Sequence, residues 1–437
     1  MTELTTRAKV DAALARIEPR TRAFIDGSFM DAADGRTFAC TSPIDGHTIG
    51  QVAACDTPDV DRAVASARAA FEDGRWSRMA PKDRKRVLLA VADRWEAHLD
   101  ELALLETLDV GKPIGDSTSV DIPNAIGCMR WFAEAADKLY DEVAPSPADV
   151  VATITREPMG VVGAVTPWNF PLMISSWKLA PALAVGNSVV LKPAEQSPLA
   201  CLRAADLAVE AGLPPGVLNV VPGYGETAGQ ALGRHMDVDC LAFTGSAPIG
   251  KRFLTYSGES NMKPVSLECG GKTPQIVLAD AGDLDEIARE TAWGIFFNQG
   301  QVCNAGSRLL VQDRVHDALM DKVASIARDI VPGDPREPAT KLGALVDAEQ
   351  KQRVLDYIRV GRDEGARVTL GGREANPVGG GSYVEPTIFD DVAPSMRIAR
   401  EEIFGPVLST LTFRDAEEAV RVGNDTIYGL AASIWTK

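Results

Sequence analysis

Cysteine and histidine are scarce in this chain. Seven cysteines are spread over 437 residues, no two of them form a C-x-x-C pair, and their number is odd. These features argue against a disulfide framework and against a zinc knuckle. The four histidines lie far apart in the sequence, which argues against a histidine-rich metal site. We therefore expect no metal centre.

Long apolar runs are also missing. No stretch approaches the roughly 18 apolar residues that a membrane-spanning helix needs. Residues 1–20 lack the apolar segment of a secretory signal. The sequence therefore predicts a cytoplasmic protein that has no membrane partner.

Positive charge is in deficit. Lys and Arg number 45 against 61 Asp and Glu, which gives a net charge of −16. This sign opposes binding to a phosphate backbone, so we do not expect a nucleic-acid partner. The hydrophobic share of 45% is ordinary for a globular protein. The length exceeds the roughly 250 to 300 residues that one hydrophobic core can serve, so we expect at least two domains.

The first part of the chain is helical by its pattern. Over residues 59–110, apolar side chains recur at steps of three and four, which places them on one helix face. The residues of this stripe are Leu88, Val91, Trp95, Leu99 and Leu102. A second helix is expected over 122–140. Residues 149–157 alternate in a way that suits a strand reaching out of the domain.

Short apolar runs alternate with helical stretches after residue 159. The runs cover residues 160–165, 188–192, 216–221, 240–243 and 265–268. Continuous apolar strands that alternate with helices are typical of a parallel sheet covered on both faces. A second series begins near residue 270, with strands over 275–279 and 308–311. We therefore predict an α/β fold with a doubly wound parallel sheet and a second α/β domain.

Loops at the ends of these strands are the expected ligand sites, because doubly wound sheets bind beyond the carboxyl ends of their strands. Asn169, in a loop bracketed by prolines, offers an amide with two donors, although turn formation alone explains the loop equally well. Lys192 and Glu195 follow the next strand. They suit ribose hydroxyls, or they form a solvated ion pair. Gly245 and Ser246 precede a helix whose N-terminus suits a phosphate, with ordinary capping as the alternative.

Two further residues carry reactive groups. Glu268 places a carboxylate at the end of a strand, directly before a stretch that contains Gly270 and Gly271. Cys303 places a thiol just beyond an expected helix end. A lone cysteine is more often a small buried apolar residue, and no histidine lies nearby in the sequence. These residues alone leave the role of Cys303 open.

Taken together, these segments resemble the NAD(P)-dependent aldehyde dehydrogenase superfamily, from about residue 20 to the last residue. Within it, the chain looks most like γ-glutamyl-γ-aminobutyraldehyde dehydrogenases of bacterial polyamine catabolism. The motifs that carry the resemblance, in chain order, are Thr166-Pro167-Trp168-Asn169-Phe170-Pro171, Leu191-Lys192-Pro193, Phe243-Thr244-Gly245-Ser246, Glu268-Cys269-Gly270-Gly271-Lys272, Gly300-Gln301-Val302-Cys303 and Glu402-Ile403-Phe404-Gly405-Pro406-Val407.

The resemblance implies a domain layout. Residues 1–136 and 159–269 would form the dinucleotide-binding domain, and 270–437 the catalytic domain. Residues 137–158 would form a β arm that pairs with another subunit in a homodimer or homotetramer. The family continues for several tens of residues beyond the position of Lys437, so we expect the catalytic domain to be incomplete at its C-terminus.

The resemblance also implies a role for each site residue. Cys303 would attack the aldehyde carbon, Asn169 and the Cys303 N–H would hold the oxyanion, and Glu268 would activate water to open the thioester. NAD is the expected cofactor, and NADP is disfavoured because Glu195 would repel a 2′-phosphate. The cofactor-binding residues would be Trp168, Lys192, Glu195, Gly225, Gly245, Ser246, Ile249, Glu402 and Phe404. The tunnel that the aldehyde enters would be lined by Phe170, Trp177 and Phe297.

Two alternatives remain beside this hypothesis. A truncated member of the fold could bind nucleotide or a partner chain without turnover. Alternatively, coenzyme A could resolve the thioester in place of water, although Glu268 favours the water route. The expected substrate is an aliphatic aldehyde of the ω-amino or γ-glutamylamino class.

Overall fold

The computed structural model describes residues 2–437. Its strands are β1 (Ala23–Ile25), β2 (Ser28–Met30), β3 (Thr37–Thr41), β4 (Thr48–Ala53), β5 (Glu142–Ala144), β6 (Ala152–Ile154), β7 (Val161–Val165), β8 (Ser188–Lys192), β9 (Leu218–Val220), β10 (Cys240–Thr244), β11 (Val265–Glu268), β12 (Pro274–Val277), β13 (Arg308–Gln312), β14 (Arg367–Leu370), β15 (Glu374–Ala375), β16 (Tyr383–Val384), β17 (Thr387–Asp390), β18 (Val407–Phe413) and β19 (Ser433–Trp435).

Helices cover most of the remaining regular structure. They are α1 (Arg7–Leu14), α2 (Thr57–Glu72), α3 (Pro81–Ala97), α4 (Leu99–Val110), α5 (Ile114–Asp116), α6 (Ile122–Ala135), α7 (Pro171–Ala184), α8 (Leu199–Glu210), α9 (Gln230–Arg234), α10 (Ala247–Gly258), α11 (Leu284–Phe296), α12 (His316–Arg328), α13 (Ala348–Asp363), α14 (Arg397–Arg400) and α15 (Ala416–Asn424). Short π- or 3₁₀-helical turns lie at Ser117–Asp121, Gly225–Gly229, Phe297–Gly300 and Asp313–Val315.

Seven strands form the first sheet, in the order β11-β10-β7-β8-β9-β1-β2. Strands β7 to β11 are parallel, as predicted from their apolar runs, and every residue of β7 and β8 is buried. Strands β1 and β2 extend the sheet in antiparallel pairing, which the sequence pattern did not predict. Strands β8 and β9 follow β7 on one side of it in the sheet, and the next strands, β10 and β11, lie on the other side of β7. The strand order therefore reverses between β7 and β10.

Six strands form the second sheet, in the order β14-β17-β18-β13-β12-β19. Five of them are parallel, and only the edge strand β14 is antiparallel. This sheet confirms the second α/β unit, since β12 and β13 agree with the predicted strands to within two residues. Contacts also cross from the N-terminal region to this half, as when Arg7 pairs with Asp334. The domain boundaries themselves stay a prediction.

The helical stretch at 59–110 is three helices rather than one. Helix α2 ends before Gly74, which has a positive φ, and α3 begins at Pro81, a residue suited to a first helical turn. A capping box starts α2, in which Asp56 and Asp59 satisfy each other's main-chain N–H. Four residues of the predicted apolar stripe are buried as expected, and Leu99 is partly buried.

Residues 137–158 leave the body of the molecule as a small hairpin. Strands β5 and β6 pair in antiparallel fashion, and β6 is shorter than the strand predicted over 149–157. Several large apolar side chains on the hairpin are exposed, among them Tyr140, Val143 and Val151. Its role as an oligomerisation arm stays a prediction. Among residues 2–437, no helix combines the length and the apolarity needed to cross a bilayer.

Candidate active site

The carboxyl ends of four parallel strands meet at one edge of the seven-stranded sheet. Val165 of β7 pairs with Lys192 of β8, and Thr244 of β10 pairs with Glu268 of β11. The loops that follow these strands therefore lie side by side. Between β7 and β10, where the strand order reverses, such loops diverge to opposite sides and leave a crevice.

A cavity of about 610 Å³ occupies this crevice, between the loops of the first sheet and residues of the second half. Cys303 and Asn169 line it together, although 134 positions separate them in the sequence. The other predicted site residues in its wall are Trp168, Gly245, Ser246, Glu402 and Phe404. Lys192, Glu195, Gly225, Ile249 and Glu268 lie outside that wall, as do the three predicted substrate residues. No cluster of three or more potential metal ligands occurs within residues 2–437.

Asn169 is buried and is tied to the loop that carries Cys303. Its side-chain Nδ2 donates to the main-chain carbonyl of Gln301 at 2.9 Å. In return, Asn298 Nδ2 donates to the main-chain carbonyl of Asn169 at 3.1 Å. An amide nitrogen has two N–H groups, so one of them remains for a ligand in the cavity.

The chain before Cys303 adopts an unusual backbone. Asn298, Gln299 and Gly300 all have positive φ values of 47°, 56° and 69°. For the two residues that carry a Cβ, this conformation costs free energy, of order 1 kcal/mol or more each. A Cβ at Gly300 would collide with the carbonyl oxygen of Gly405, so only glycine fits there. This left-handed run ends α11 and turns the chain so that Cys303 reaches the cavity.

The Cys303 thiol is partly buried. Burial is the largest influence on it and raises its pKa above the ordinary thiol value, and the negative charge of Glu268 raises it further. A hydrogen bond from the Asn304 N–H acts in the opposite direction. Gly271 allows the two loops to come close, because a Cβ there would lie 2.9 Å from the Cys303 carbonyl oxygen. Burial and the charge of Glu268 thus favour the neutral form of the Cys303 thiol.

Lys178 is a residue to which sequence reasoning assigned no role. Its Nζ donates to Thr244 Oγ1 at 2.7 Å, beneath the crevice. Burial lowers the pKa of Lys178 to about 8, and the charge of Glu268 partly offsets that effect. In the sequence, the feature that could have pointed to Lys178 is its position as the single positive charge within the apolar helix α7. The charged form of Lys178 is thus favoured by the negative charge of Glu268.

The predicted cofactor residues form two groups. In the first, Ser246 lies at the N-terminal end of α10, and its hydroxyl makes no capping bond. The free N–H groups of this helix end and their positive dipole suit a phosphate. In the second, Lys192 Nζ donates to Glu195 Oε2 at 2.9 Å, which confirms their proximity but also satisfies the ion-pair alternative. Gly225 begins a π-helical turn, and Ile249 is substantially exposed on α10.

Another part of the cavity wall is formed by Glu402 and Phe404. Glu402 accepts a hydrogen bond from the Gly271 N–H at 3.2 Å, and burial raises the pKa of its carboxyl. A Cβ at Gly270 would overlap that carboxylate, so the glycine permits the close approach. Phe404 meets the Trp168 ring edge to face, with the ring centroids 5.2 Å apart. These contacts hold Glu402 and Phe404 in the cavity wall.

The aromatic residues predicted to line the substrate path are only partly brought together. Phe170 and Phe297 stack with their centroids 6.1 Å apart, and Phe297 also packs on Trp293 at 4.4 Å. Trp293, which the sequence analysis did not single out, thus extends the stack, and 53% of its surface is exposed. Trp177 is similarly exposed but makes no ring contact within residues 2–437.

The sequence profile described as "Aldehyde dehydrogenase family" matches residues 29–437 of this chain. The chain belongs to the aldehyde dehydrogenase family. It is 50% identical to the aminoacetaldehyde dehydrogenase of Pseudomonas aeruginosa over 436 residues, which cover all of this chain and 87% of that protein. The family predicted from the strand-end motifs is therefore confirmed.

Solved structures of other aldehyde dehydrogenases agree with the fold. An indole-3-acetaldehyde dehydrogenase in complex with NAD⁺ matches with a TM-score of 0.98 and 56% identity, covering 99% of this chain and 87% of that one. The γ-glutamyl-γ-aminobutyraldehyde dehydrogenase of Burkholderia cenocepacia matches with a TM-score of 0.97 and 54% identity, with the same coverage. The predicted similarity to that group of aldehyde dehydrogenases is confirmed. The alternative of a fold member without turnover finds no support among these relatives, which are all dehydrogenases by name.

Proposed function

We propose that this aldehyde dehydrogenase oxidises an aliphatic ω-amino or γ-glutamylamino aldehyde to its carboxylate, with NAD as the hydride acceptor. The observation that carries the proposal is the presence of Cys303 and Asn169 in one cavity whose wall also holds a free helix N-terminus and Glu402. A thiol, an amide donor and a phosphate-binding helix end are the groups that covalent oxidation of an aldehyde requires.

In the first step, the Cys303 thiol gives its proton to solvent water and its sulfur attacks the aldehyde carbon, which forms a thiohemiacetal as its oxyanion. The oxyanion that develops is held by the free N–H of the Asn169 amide and by the Cys303 main-chain N–H. Removing one such donor typically costs about 10² to 10³ in rate. Bound NAD accepts the hydride from this carbon, and a thioester on Cys303 remains. Glu268 then takes a proton from the water that opens the thioester, which releases the carboxylate and the free thiol.

The cofactor contacts follow from the two groups of residues described above. Gly245 and Ser246 would hold the pyrophosphate at the start of α10, and Lys192 and Glu195 would bind the ribose hydroxyls on the adenine side. Because Glu195 carries a negative charge next to those hydroxyls, NAD is preferred over NADP. The residues that complete the cofactor site are Trp168, Gly225, Ile249, Glu402 and Phe404.

The aldehyde class is supported by the aromatic stack and by the relatives. Ring faces attract an ammonium group within about 6 Å, and the stack of Phe297 with the exposed Trp293 offers such faces. Relatives at 50% and 54% identity are named for aminoacetaldehyde and for γ-glutamyl-γ-aminobutyraldehyde. Phe170 and Trp177 would complete the lining. An indole ring would also stack on these rings, so indole-3-acetaldehyde is the comparison substrate.

Assembly is a separate part of the proposal. The exposed apolar side chains of β5 and β6 would pair with a second copy of the chain, which gives a homodimer or homotetramer. The mass of the protein in solution, measured by light scattering, tests this point. A monomer at micromolar concentration would contradict it.

The decisive experiment is an aldehyde panel assayed with NAD and NADP in parallel. We expect NADH formation, with a higher kcat/KM for aminoaldehydes than for indole-3-acetaldehyde. Cys303→Ala should abolish NADH formation, whereas Cys269→Ala, which removes the other thiol in the cavity wall, should retain it. Full activity in Cys303→Ala would remove the nucleophile assignment. If product release required coenzyme A, then coenzyme A rather than water would be the molecule that opens the thioester.

A further inference from the structure

Behind the Asn169 loop lies a cluster of fully buried charged side chains. Lys112 and Asp121 form an ion pair in which neither side chain is exposed, and Glu106 is equally buried beside them. Removing such charges from water costs several kcal/mol for each ion, and apolar residues of similar volume are often at least as stable. The cluster therefore needs an explanation beyond stability.

Lys112 is directed at the active-site loop. Its Nζ donates to the main-chain carbonyl of Asn169 at 3.0 Å, and its ammonium group lies 3.9 Å from the centre of the Phe170 ring. The same carbonyl also accepts from Asn298 Nδ2. The main-chain oxygen of the oxyanion donor is thus held from two sides, by a cation and by the loop that precedes the nucleophile.

Glu106 holds the next part of the same loop. Its Oε1 accepts from the Leu172 N–H at 2.8 Å, at the first turn of α7. Its Oε2 and Asp121 Oδ1 have no hydrogen-bond partner within residues 2–437 if both groups are ionised. Burial, and after it the negative charge of Asp121, raise the pKa of Glu106. If Glu106 carries a proton, its O–H can donate to Asp121, and this single hydrogen bond gives both oxygen atoms a partner. The positive charge of Lys112 then compensates the negative charge of Asp121.

We propose that Lys112 is a positioning residue for aldehyde oxidation: held by Asp121 and Glu106, it fixes the main chain at Asn169 and Phe170 so that the Asn169 amide faces the carbon attacked by Cys303. The inference rests on the proposed function. It predicts a loss in the two steps in which an oxyanion forms, the attack by Cys303 and the opening of the thioester, with NAD binding unaffected, since Lys112 acts on Asn169 and Phe170.

The test compares three variants with the wild-type enzyme in single-turnover NADH bursts. Lys112→Met removes the donor and leaves Asp121 unpaired. Lys112→Met combined with Asp121→Asn removes both charges and should recover much of the lost thermal stability. Lys263→Met is the matched control, because Lys263 is also a buried lysine whose Nζ donates to a main-chain carbonyl, that of Gly233, away from the Asn169 loop.

The inference expects a burst rate about 10- to 100-fold lower in the double variant, with the Kd for NAD unchanged. Lys263→Met should lower Tm but leave the burst rate at the wild-type value. A double variant that folds and matches the wild-type burst overturns the inference and leaves the proposed function standing. A double variant that is insoluble while Lys263→Met folds assigns Lys112 to folding and also overturns it. A wild-type enzyme that gives no NADH with any aldehyde removes the proposed function, and this inference with it.

Discussion

The side-chain amide of Asn169 donates a hydrogen bond of 2.9 Å to the main-chain carbonyl of Gln301, two residues before Cys303. Asn169 follows a strand of the seven-stranded sheet, whereas Gln301 precedes a strand of the six-stranded sheet. One direct contact between the two halves thus ties Asn169 to the loop that carries Cys303. It also orients the second N–H of the amide.

The first prediction concerns deacylation. In Glu268→Gln the amide cannot take a proton from water, so the acyl-enzyme should form and then persist. A full NADH burst followed by steady turnover slowed by about 10² to 10⁴ is expected in stopped-flow absorbance. Intact-mass spectrometry should show the acyl adduct on Cys303. A variant with a normal steady-state rate would mean that another base acts.

The second prediction concerns the pH dependence of the thiol. Because burial and the charge of Glu268 raise the pKa of Cys303, the reactive thiolate is a minor form near neutrality and grows as pH rises. The rate of Cys303 alkylation by iodoacetamide, followed by peptide mass spectrometry without NAD, should therefore increase from about pH 6 to above about pH 9.

The same measurement on Glu268→Gln separates the two causes. Removing the negative charge lowers the cost of forming a thiolate, so the pKa of Cys303 should fall and the alkylation profile should move to lower pH. A profile that moves to higher pH, or stays in place, would contradict the electrostatic coupling of the two groups. Cys269→Ala serves as the control for assignment of the alkylated peptide.

The third prediction concerns cofactor choice. Glu195→Gln removes the charge that would repel a 2′-phosphate but keeps a side chain that bonds to hydroxyls. We expect kcat/KM for NADP to rise at least about tenfold relative to NAD. Glu72→Gln, on the exposed end of α2, should leave the ratio unchanged. An unchanged ratio in Glu195→Gln would place the adenine-side ribose elsewhere.

The fourth prediction concerns the residues at the start of α13 that hold the main chain of Phe404 in the cavity wall. Asp347 caps α13 by accepting from the Gln350 N–H at 2.7 Å, and the Gln350 side chain donates to the Phe404 carbonyl at 2.7 Å. Asp347→Ala should reduce the free energy of unfolding by about 1 kcal/mol and raise KM for NAD, measured by thermal denaturation and steady-state kinetics. Asp347→Asn keeps a good cap and should restore both values.

The parallel strands could be predicted because buried strands between helices leave continuous apolar runs, and β8 and β11 agree with the predicted bounds to the residue. Strands β1 and β2 could not be predicted, since their three-residue runs carry no distinctive period. The split of residues 59–110 into three helices was missed because one apolar face continues across the breaks at Gly74 and His98.

In the active site, residue type and order in the sequence pointed to Cys303, Asn169 and Glu268. Trp293 and Lys178 went unassigned, because a tryptophan or a lysine on a helix has many ordinary explanations until its neighbours are known. The sequence around Lys112 gave even less indication of a role for this residue. Its burial against Asn169 arises from packing between segments 57 positions apart.

Local patterns alone determine where most of the parallel strands lie and which chemical groups follow them, because side-chain periodicity and reactivity belong to each segment. The tertiary structure alone decides which of these groups meet, how far each is removed from water and which charges face it. Those quantities depend on contacts between distant segments. They decide that Asn169 reaches the loop of Cys303, that Glu268 raises the pKa of the Cys303 thiol, and that Lys112 contacts the main chain at Asn169.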